Sequence, residues 1–196
     1  MRQNEWMLKE SEKICILDCD GVLNTYPACW VEFVNKILKT NFTDLNMMKQ
    51  TLPYQTYKNC KERYRTSGYK ETLKPDKNAT EFTKRLKEMG YTIIVITARP
   101  MSEYPMLFKQ TMRWLDKNNI LFDALFASDK RKYAKIITEF PHIRFAVDDS
   151  SFECNLLSKW GYKSFIKNNE YNAKTEIETN VTRIYSLFDV FEYIKT

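Results

Sequence analysis

The chain is short of the residues that several large enzyme classes depend on. It has only four glycines, Gly21, Gly68, Gly90 and Gly161. Neither a Walker A loop nor a G-x-G-x-x-G turn can be built from them, which excludes a P-loop kinase and a dinucleotide-binding dehydrogenase. The single histidine, His142, lies between Pro141 and Ile143-Arg144, in a predicted turn where a Ser-His-Asp mechanism would have to be assembled. Five cysteines (Cys15, Cys19, Cys29, Cys60 and Cys154) are odd in number and contain no C-x-x-C pair. That argues against a disulfide framework or structural zinc and predicts a reducing, cytoplasmic setting. No apolar run approaches membrane-spanning length, and the opening Met1-Arg2-Gln3-Asn4-Glu5 is too polar for a signal-peptide core. A soluble protein with no membrane partner is expected.

What is present fits one folded core. The 196 residues, 43% hydrophobic and 14% aromatic, allow a single well-buried domain with a small insertion and disfavour wholesale disorder. Thirty-one Lys and Arg against 25 Asp and Glu leave a net charge of +6. This mild excess suits an anionic substrate such as a phosphate ester, but it is too small to establish nucleic-acid binding, against which a solvated basic surface is the preferred reading.

Apolar runs alternate with helical patterns. Strands are predicted at Ile14–Leu17, Thr92–Ile96, Ala124–Ala127, Arg144–Val147 and Tyr162–Ile166. Between them, Asn78 with Glu81 can cap a helix whose apolar face is Phe82, Leu86 and Met89 and which stops at Gly90. Further helices are expected over Pro105–Asn118, Tyr133–Phe140 and Ser151–Trp160. Alternation at this spacing predicts an α/β fold with a doubly wound parallel sheet. The interval between the first two strands is anomalous, because a crossover needs only about a dozen residues. The excess is itself helical. Pro27 can open a helix with Trp30, Phe33, Val34, Ile37 and Leu38 on one face, Thr43 can cap a second, and Pro53 can start a third that runs toward Gly68. Residues 25–72 are therefore read as an inserted helical cap, and residues 1–24 with 73–196 as the core.

The most informative stretch is Ile14-Cys15-Ile16-Leu17-Asp18-Cys19-Asp20-Gly21-Val22-Leu23-Asn24. A buried strand here ends in two carboxylates, delivered to the edge of an α/β sheet where ligands bind. Carboxylates two apart, followed by glycine, can hold a hard cation and still leave an oxygen free to attack. A calcium loop is the competing reading, and it fails because Val22 and Cys29 stand where an EF-hand needs oxygen ligands. Asp18 is the natural nucleophile for phosphoryl transfer, and Asp20 can protonate the leaving oxygen and then activate water, a role that calls for a raised pKa. Cys19 is read as packing.

Asp18-x-Asp20 resembles motif I of the haloacid dehalogenase-like (HAD) phosphohydrolases, and three later segments complete the pattern in order. Ile93-Ile94-Val95-Ile96-Thr97-Ala98-Arg99-Pro100 resembles motif II. Thr97, with Ala98 and Gly21 beside it, would bind phosphate oxygens, although a Thr there can also simply cap the next turn. Arg99 offers a planar fork to a phosphoryl group, and it could equally pair with a carboxylate. Ser128-Asp129-Lys130-Arg131-Lys132 resembles motif III, with Lys132 chosen as the lysine that screens the nucleophile and Lys130 and Lys135 as competitors. Phe145-Ala146-Val147-Asp148-Asp149-Ser150 resembles motif IV. With Asp18 and Asp20, Asp148 and Asp149 form an oxygen-only metal set that points to Mg²⁺.

The resemblance implies a Mg²⁺-dependent phosphomonoesterase working through an aspartyl-phosphate, with the insertion after motif I as its lid. Two branches look similar. The cap, Gly68-Tyr69-Lys70-Glu71-Thr72-Leu73 and Thr111-Met112-Arg113-Trp114-Leu115 resemble the 5'(3')-deoxyribonucleotidases, which implies a nucleotide substrate. Arg99, Arg131-Lys132 and Asp148-Asp149 resemble polynucleotide 3'-phosphatase domains, which implies a nucleic-acid end instead. A HAD-fold module that only binds would lack the nucleophile, and Asp18 is present. Tyr54, Tyr57, Lys58, Lys61, Tyr64 and Arg65 recur at helical spacing, either as a stacking and phosphate-binding face or as tyrosine packing beneath solvated cations.

Overall fold

The computed structural model describes residues 13–127, 132–140 and 142–194, with the side chains of Lys132 and Lys135 outside the description. Strands β1 (Ile14–Asp18), β2 (Thr92–Thr97), β3 (Ala124–Ala127), β4 (Ile143–Asp148), β5 (Ser164–Lys167) and β6 (Val181–Ile184) form one sheet in the order β3-β2-β1-β4-β5-β6. Every pairing is parallel. The chain runs outward from β1 through β2 to β3 and then returns to place β4 on the other side of β1. This reversal opens a crevice at the carboxyl ends of β1 and β4, the place where open α/β sheets bind ligands.

Helices α4 (Ala79–Glu88), α5 (Met106–Lys117), α6 (Lys132–Glu139) and α7 (Ser151–Lys159) make the crossovers of this sheet. Side chains alternate across it as the period of a strand requires. Cys15, Leu17, Ile93, Val95, Phe145 and Val147 belong to one hydrophobic cluster with Phe82 and Leu86 of α4 and Trp114 and Leu115 of α5. Ile14, Ile16, Ile94, Ile96 and Ala146 belong to a second with Tyr133 and Ile136 of α6 and Leu157 of α7. Both faces are covered, which is why the strands read as continuous apolar runs.

Three more helices lie between β1 and α4: α1 (Ala28–Leu38), α2 (Leu45–Thr51) and α3 (Tyr54–Thr66), followed by a 3₁₀ turn at Tyr69–Thr72. Their apolar residues Trp30, Phe33, Val34, Leu45, Met48 and Tyr64 join the same cluster as Leu17 and Val22. The insertion thus shares its packing with one face of the sheet. Trp30, Phe33, Tyr64 and Tyr69 form the centre of this contact, with ring centroids 4.7–5.9 Å apart.

Two helix starts differ from the sequence reading. α2 is capped by Asp44, whose Oδ1 accepts from the Met47 amide at 2.8 Å, while the Thr43 hydroxyl donates to Asp44 at 2.9 Å. Asn78 precedes α4 without capping it, because its amide side chain donates to Ser186 Oγ at 2.8 Å and ties α4 to the last segment. In both cases a nearer or more distant acceptor outcompetes the pattern-based choice. β6 has no counterpart among the expected strands, since only Val181 and Ile184 of its four residues are buried. Among the described residues no helix is long and apolar enough to cross a membrane. His142 lies exposed in a turn.

Candidate active site

β1 ends at Asp18 and β4 ends at Asp148, and pairing of Leu17 with Val147 sets the two strand ends side by side. Asp149 follows directly. Carboxylate oxygens of Asp18, Asp148 and Asp149 lie within 4.8 Å of one another, and all three residues are buried. Three crowded carboxylates with oxygen donors only fit a hard divalent cation such as Mg²⁺, which prefers carboxylate, carbonyl and water ligands.

The turn after β1 is shaped to admit Asp149. Gly21 has φ +89°, and a Cβ there would stand 1.7 Å from Asp149 Oδ2. Only glycine satisfies both conditions. Asn24, which had no rationale in the sequence, braces this turn. Its Oδ1 accepts from the amides of Gly21 at 3.2 Å and Tyr26 at 3.0 Å, and its Nδ2 donates to Asp20 at 2.7 Å. Lys167, at the end of β5, donates to Asp76 at 2.7 Å and reaches the Gly21 and Val22 carbonyls at 3.4 Å.

Asp148 accepts from the Tyr133 hydroxyl at 2.6 Å and from the Ser150 amide at 2.9 Å. Asp149 accepts from the Tyr171 hydroxyl, and Asn172 donates to the Asp149 carbonyl at 2.8 Å. Burial, reinforced by the neighbouring carboxylates, pushes the Tyr133 and Tyr171 hydroxyls far up, so both are donors. Lone tyrosines carry no motif, and these supports were not legible beforehand.

Asp20 occupies a different environment. Arg99 clasps it with two bonds, Nε to Oδ2 at 2.9 Å and Nη2 to Oδ1 at 2.7 Å, and Lys70 adds a third at 3.2 Å. Arg99 is itself buried and donates Nη1 to Thr111 Oγ1 at 2.8 Å. Lys70 lies 4.5 Å from the ring centroid of Tyr64. Burial would raise the Asp20 carboxyl, but the Arg99 and Lys70 charges outweigh it and hold the group well below the usual carboxylate range. The expectation of a raised pKa is thus reversed. It counted the neighbouring acids but not the two buried cations, one of them supplied from fifty residues away. The structure also places Asp20 outside the Asp18–Asp148–Asp149 group, its oxygens turned to this clamp.

One cavity of about 350 Å³ opens over these residues. Asp18, Asp20, Thr97, Ala98, Arg99 and Asp149 line it from the sheet side, with Tyr26, Trp30, Tyr64, Lys61, Arg65 and Lys70 across from them in the chain's inserted segment. Thr97 is buried at the end of β2, and its Oγ1 accepts from the Arg99 amide at 3.2 Å. Cys19 is wholly buried, and desolvation pushes its thiol up to about 12, which suits packing. Of the expected lysines, Lys130 lies outside the described residues. Lys132 begins α6, and its side chain and that of Lys135 lie outside the description.

No protein-family profile and no curated protein matches the sequence. Solved structures do. A candidate beta-phosphoglucomutase from Thermotoga maritima shares 14% identity over 93% of this chain and 99% of its own, with a TM-score of 0.65. A candidate HAD-hydrolase from Bacillus subtilis, bound to magnesium, shares 11% over 94% and 99%, with a TM-score of 0.64. D,D-heptose 1,7-bisphosphate phosphatase from B. bronchiseptica, complexed with magnesium and phosphate, shares 15% over 93% and 97%, with a TM-score of 0.57. At these identities the likeness speaks for architecture. The chain, a six-stranded parallel sheet with helices on both faces, shares its overall fold with these solved structures.

Proposed function

We propose that this protein is a Mg²⁺-dependent phosphomonoesterase of the HAD type, acting on a small phosphorylated substrate of nucleotidic character. The observation that carries the reading is the meeting of Asp18, Asp148 and Asp149 at the sheet's switch point, beside a cavity also lined by Thr97 and Arg99. Its volume of about 350 Å³ stands at the small end of ligand sites, roughly 300–1,000 Å³. That suits a single phosphate ester. The heptose bisphosphate phosphatase of the same fold was solved with magnesium and phosphate, which agrees with this class of substrate.

Asp18 and Asp149 both line the cavity and would hold the metal, with Asp148 behind them. When bound, Mg²⁺ would neutralise charge on the transferring group. Asp18 attacks phosphorus through one carboxylate oxygen, the ester oxygen departs with a proton from Asp20, and an aspartyl-phosphate forms. Water then attacks this acyl phosphate, gives its proton to Asp20, and releases inorganic phosphate and free Asp18. Thr97 and the neighbouring Ala98 amide hold phosphate oxygens, the Gly21 backbone supports the bound phosphate, and Lys132 screens the negative charge. For Asp20 to exchange protons its clamp must loosen. Arg99 offers phosphate the same fork that it offers Asp20, so an arriving substrate can take over part of that contact. Residues 25–72 act as the cap, and Tyr26, Trp30 and Tyr64 supply an apolar wall for a base or sugar.

The test is phosphate release, with and without Mg²⁺, from nucleoside 5'- and 3'-monophosphates, 3'-phosphorylated oligonucleotides and p-nitrophenyl phosphate. Mg²⁺-dependent turnover of free nucleotides is expected. Preference for oligonucleotide ends would favour the 3'-phosphatase reading, which the exposed Tyr54 and Lys58 on α3 support. Binding without turnover would make the protein a non-catalytic module.

A further inference from the structure

The described lining of the cavity carries four cationic side chains, and their partners divide them into two pairs. Arg99 and Lys70 are both engaged by Asp20. Lys61 and Arg65 are not so occupied. They stand one turn apart on α3, at i and i+4 on the same helix face. Among the described residues neither pairs with a carboxylate. Their neighbours are aromatic instead. Lys61 Nζ lies 5.4 Å from the Tyr57 ring centroid and 3.5 Å from its hydroxyl, and the Arg65 guanidinium lies 5.5 Å from the Tyr104 ring centroid. Glu62, the acid between them in sequence, accepts the Tyr104 hydroxyl.

A cation resting against an aromatic ring has its stem packed and its head held in place, yet its charge is not cancelled. Two such heads on one cavity wall form a ready site for a second anion. Arginine's fork and lysine's point charge both suit phosphate oxygens. The sheet side already provides for one phosphate at Asp18, Thr97 and Arg99, so a phosphate at α3 would be a different group of the same substrate.

We propose that Lys61 and Arg65 form a second phosphate subsite, and that the substrate is a phosphomonoester carrying another phosphate, cleaved at Asp18 and gripped at α3. The identity of the cleaved group rests on the phosphatase reading above; the α3 subsite stands on its own contacts. The second phosphate can come from a free bisphosphate or from the backbone of a nucleic-acid end.

The experiment is equilibrium titration of the full chain carrying Asp18→Asn, so that no probe is consumed, with adenosine 5'-monophosphate, adenosine 3',5'-bisphosphate and a 3'-phosphorylated dinucleotide. A probe with a second phosphate should bind about 30-fold more tightly than the monophosphate, the gain expected of one or two charge-assisted contacts. Lys61→Gln and Arg65→Gln should each remove part of that gain, and the double variant should bring it below about threefold. The two-phosphate probe with the larger gain identifies the source. Equal affinity for one and two phosphates in the parent, or a gain that survives in the double variant, overturns the subsite. If the subsite fails while wild-type chain still hydrolyses p-nitrophenyl phosphate, the phosphatase reading stands alone. If the gain is present but no phosphate is ever released, the subsite stands and the phosphatase reading falls.

Discussion

On the sheet side the cavity is lined by the short side chains of Asp18, Asp20, Thr97, Ala98 and Asp149 and by the Arg99 guanidinium that clasps Asp20. On the side of the inserted helices it is lined by Tyr26, Trp30, Tyr64, Lys61 and Arg65, which are long, aromatic or basic. The sheet residues sit at or just beyond strand ends, where ladder hydrogen bonds fix the backbone and leave a short side chain little freedom. The residues opposite reach in over several bonds and rest against aromatic rings, Trp30 on Tyr57 and Tyr64, Lys61 on Tyr57 and Arg65 on Tyr104. The sheet side is thus suited to chemistry that tolerates no displacement, and the helix side to recognition. Asp20 joins the two. It follows a strand end, but one of its partners, Lys70, arrives from the return leg of the insertion.

The sharpest break in this comparison is Asp18→Asn. Turnover should fall by about 10⁴-fold or more, as for other lost nucleophiles, while circular dichroism and the thermal midpoint stay near wild type. Near-wild-type rates in that variant would sink the proposed chemistry. Arg99→Met should instead act on the junction between the walls. Removing a buried, bidentate partner leaves Asp20 and Thr111 with unmet bonds and should cost about 3 kcal/mol in urea unfolding at pH 7.

That loss should depend on pH. The folded-state pKa of Asp20 lies below its ordinary value, so the stability from its pairing is complete above the ordinary carboxylate pKa of about 3.9 and is lost as pH falls through the folded value. The gap between wild type and Arg99→Met should therefore be full at about pH 6–7, well above the ordinary carboxylate value, and should narrow in strongly acidic solution. A gap that widens on acidification would show that Arg99 stabilises through something other than Asp20.

Gly21→Ala tests the sheet side alone. The positive φ and the collision with Asp149 should together cost about 2–3 kcal/mol, and the concentration of Mg²⁺ needed for half-maximal phosphate release should rise. The smallest effect is expected from Tyr171→Phe. It removes one hydroxyl from Asp149 and should raise the Mg²⁺ concentration needed for half-maximal rate by about tenfold with little change in saturated rate, as loss of outer partners of metal ligands usually does. An unchanged Mg²⁺ titration would mean that Tyr171 does not orient Asp149.

Much of the sheet side was legible in the linear sequence because a buried parallel strand announces itself as an apolar run and its end as an abrupt polar break. Asp18, Thr97 and Asp148 all stand at such breaks. The helices were legible to within one or two residues for a similar reason, since Gly90 and Gly161 have positive φ just beyond α4 and α7. β6 was not, because two of its four side chains are only half buried and leave no continuous run. The partners of the carboxylates were hidden for another reason. Lys70, Tyr133, Tyr171 and Asn172 are ordinary residues until folding brings them to Asp20, Asp148 and Asp149.

The sequence by itself determined the alternation of strands and helices, the acidic strand ends and the helical excess between β1 and β2, because each is written in residues adjacent in the chain. Tertiary structure alone decided which carboxylates share a site and which is clamped. Asp18 and Asp148 meet because β1 and β4 pair across the 124 residues of chain that separate them, as their register requires. Asp20, only two residues from Asp18, is drawn to Arg99 and Lys70 instead. Proximity along the chain carries no information about charge compensation in space, and in a buried site compensation decides what a carboxylate can do.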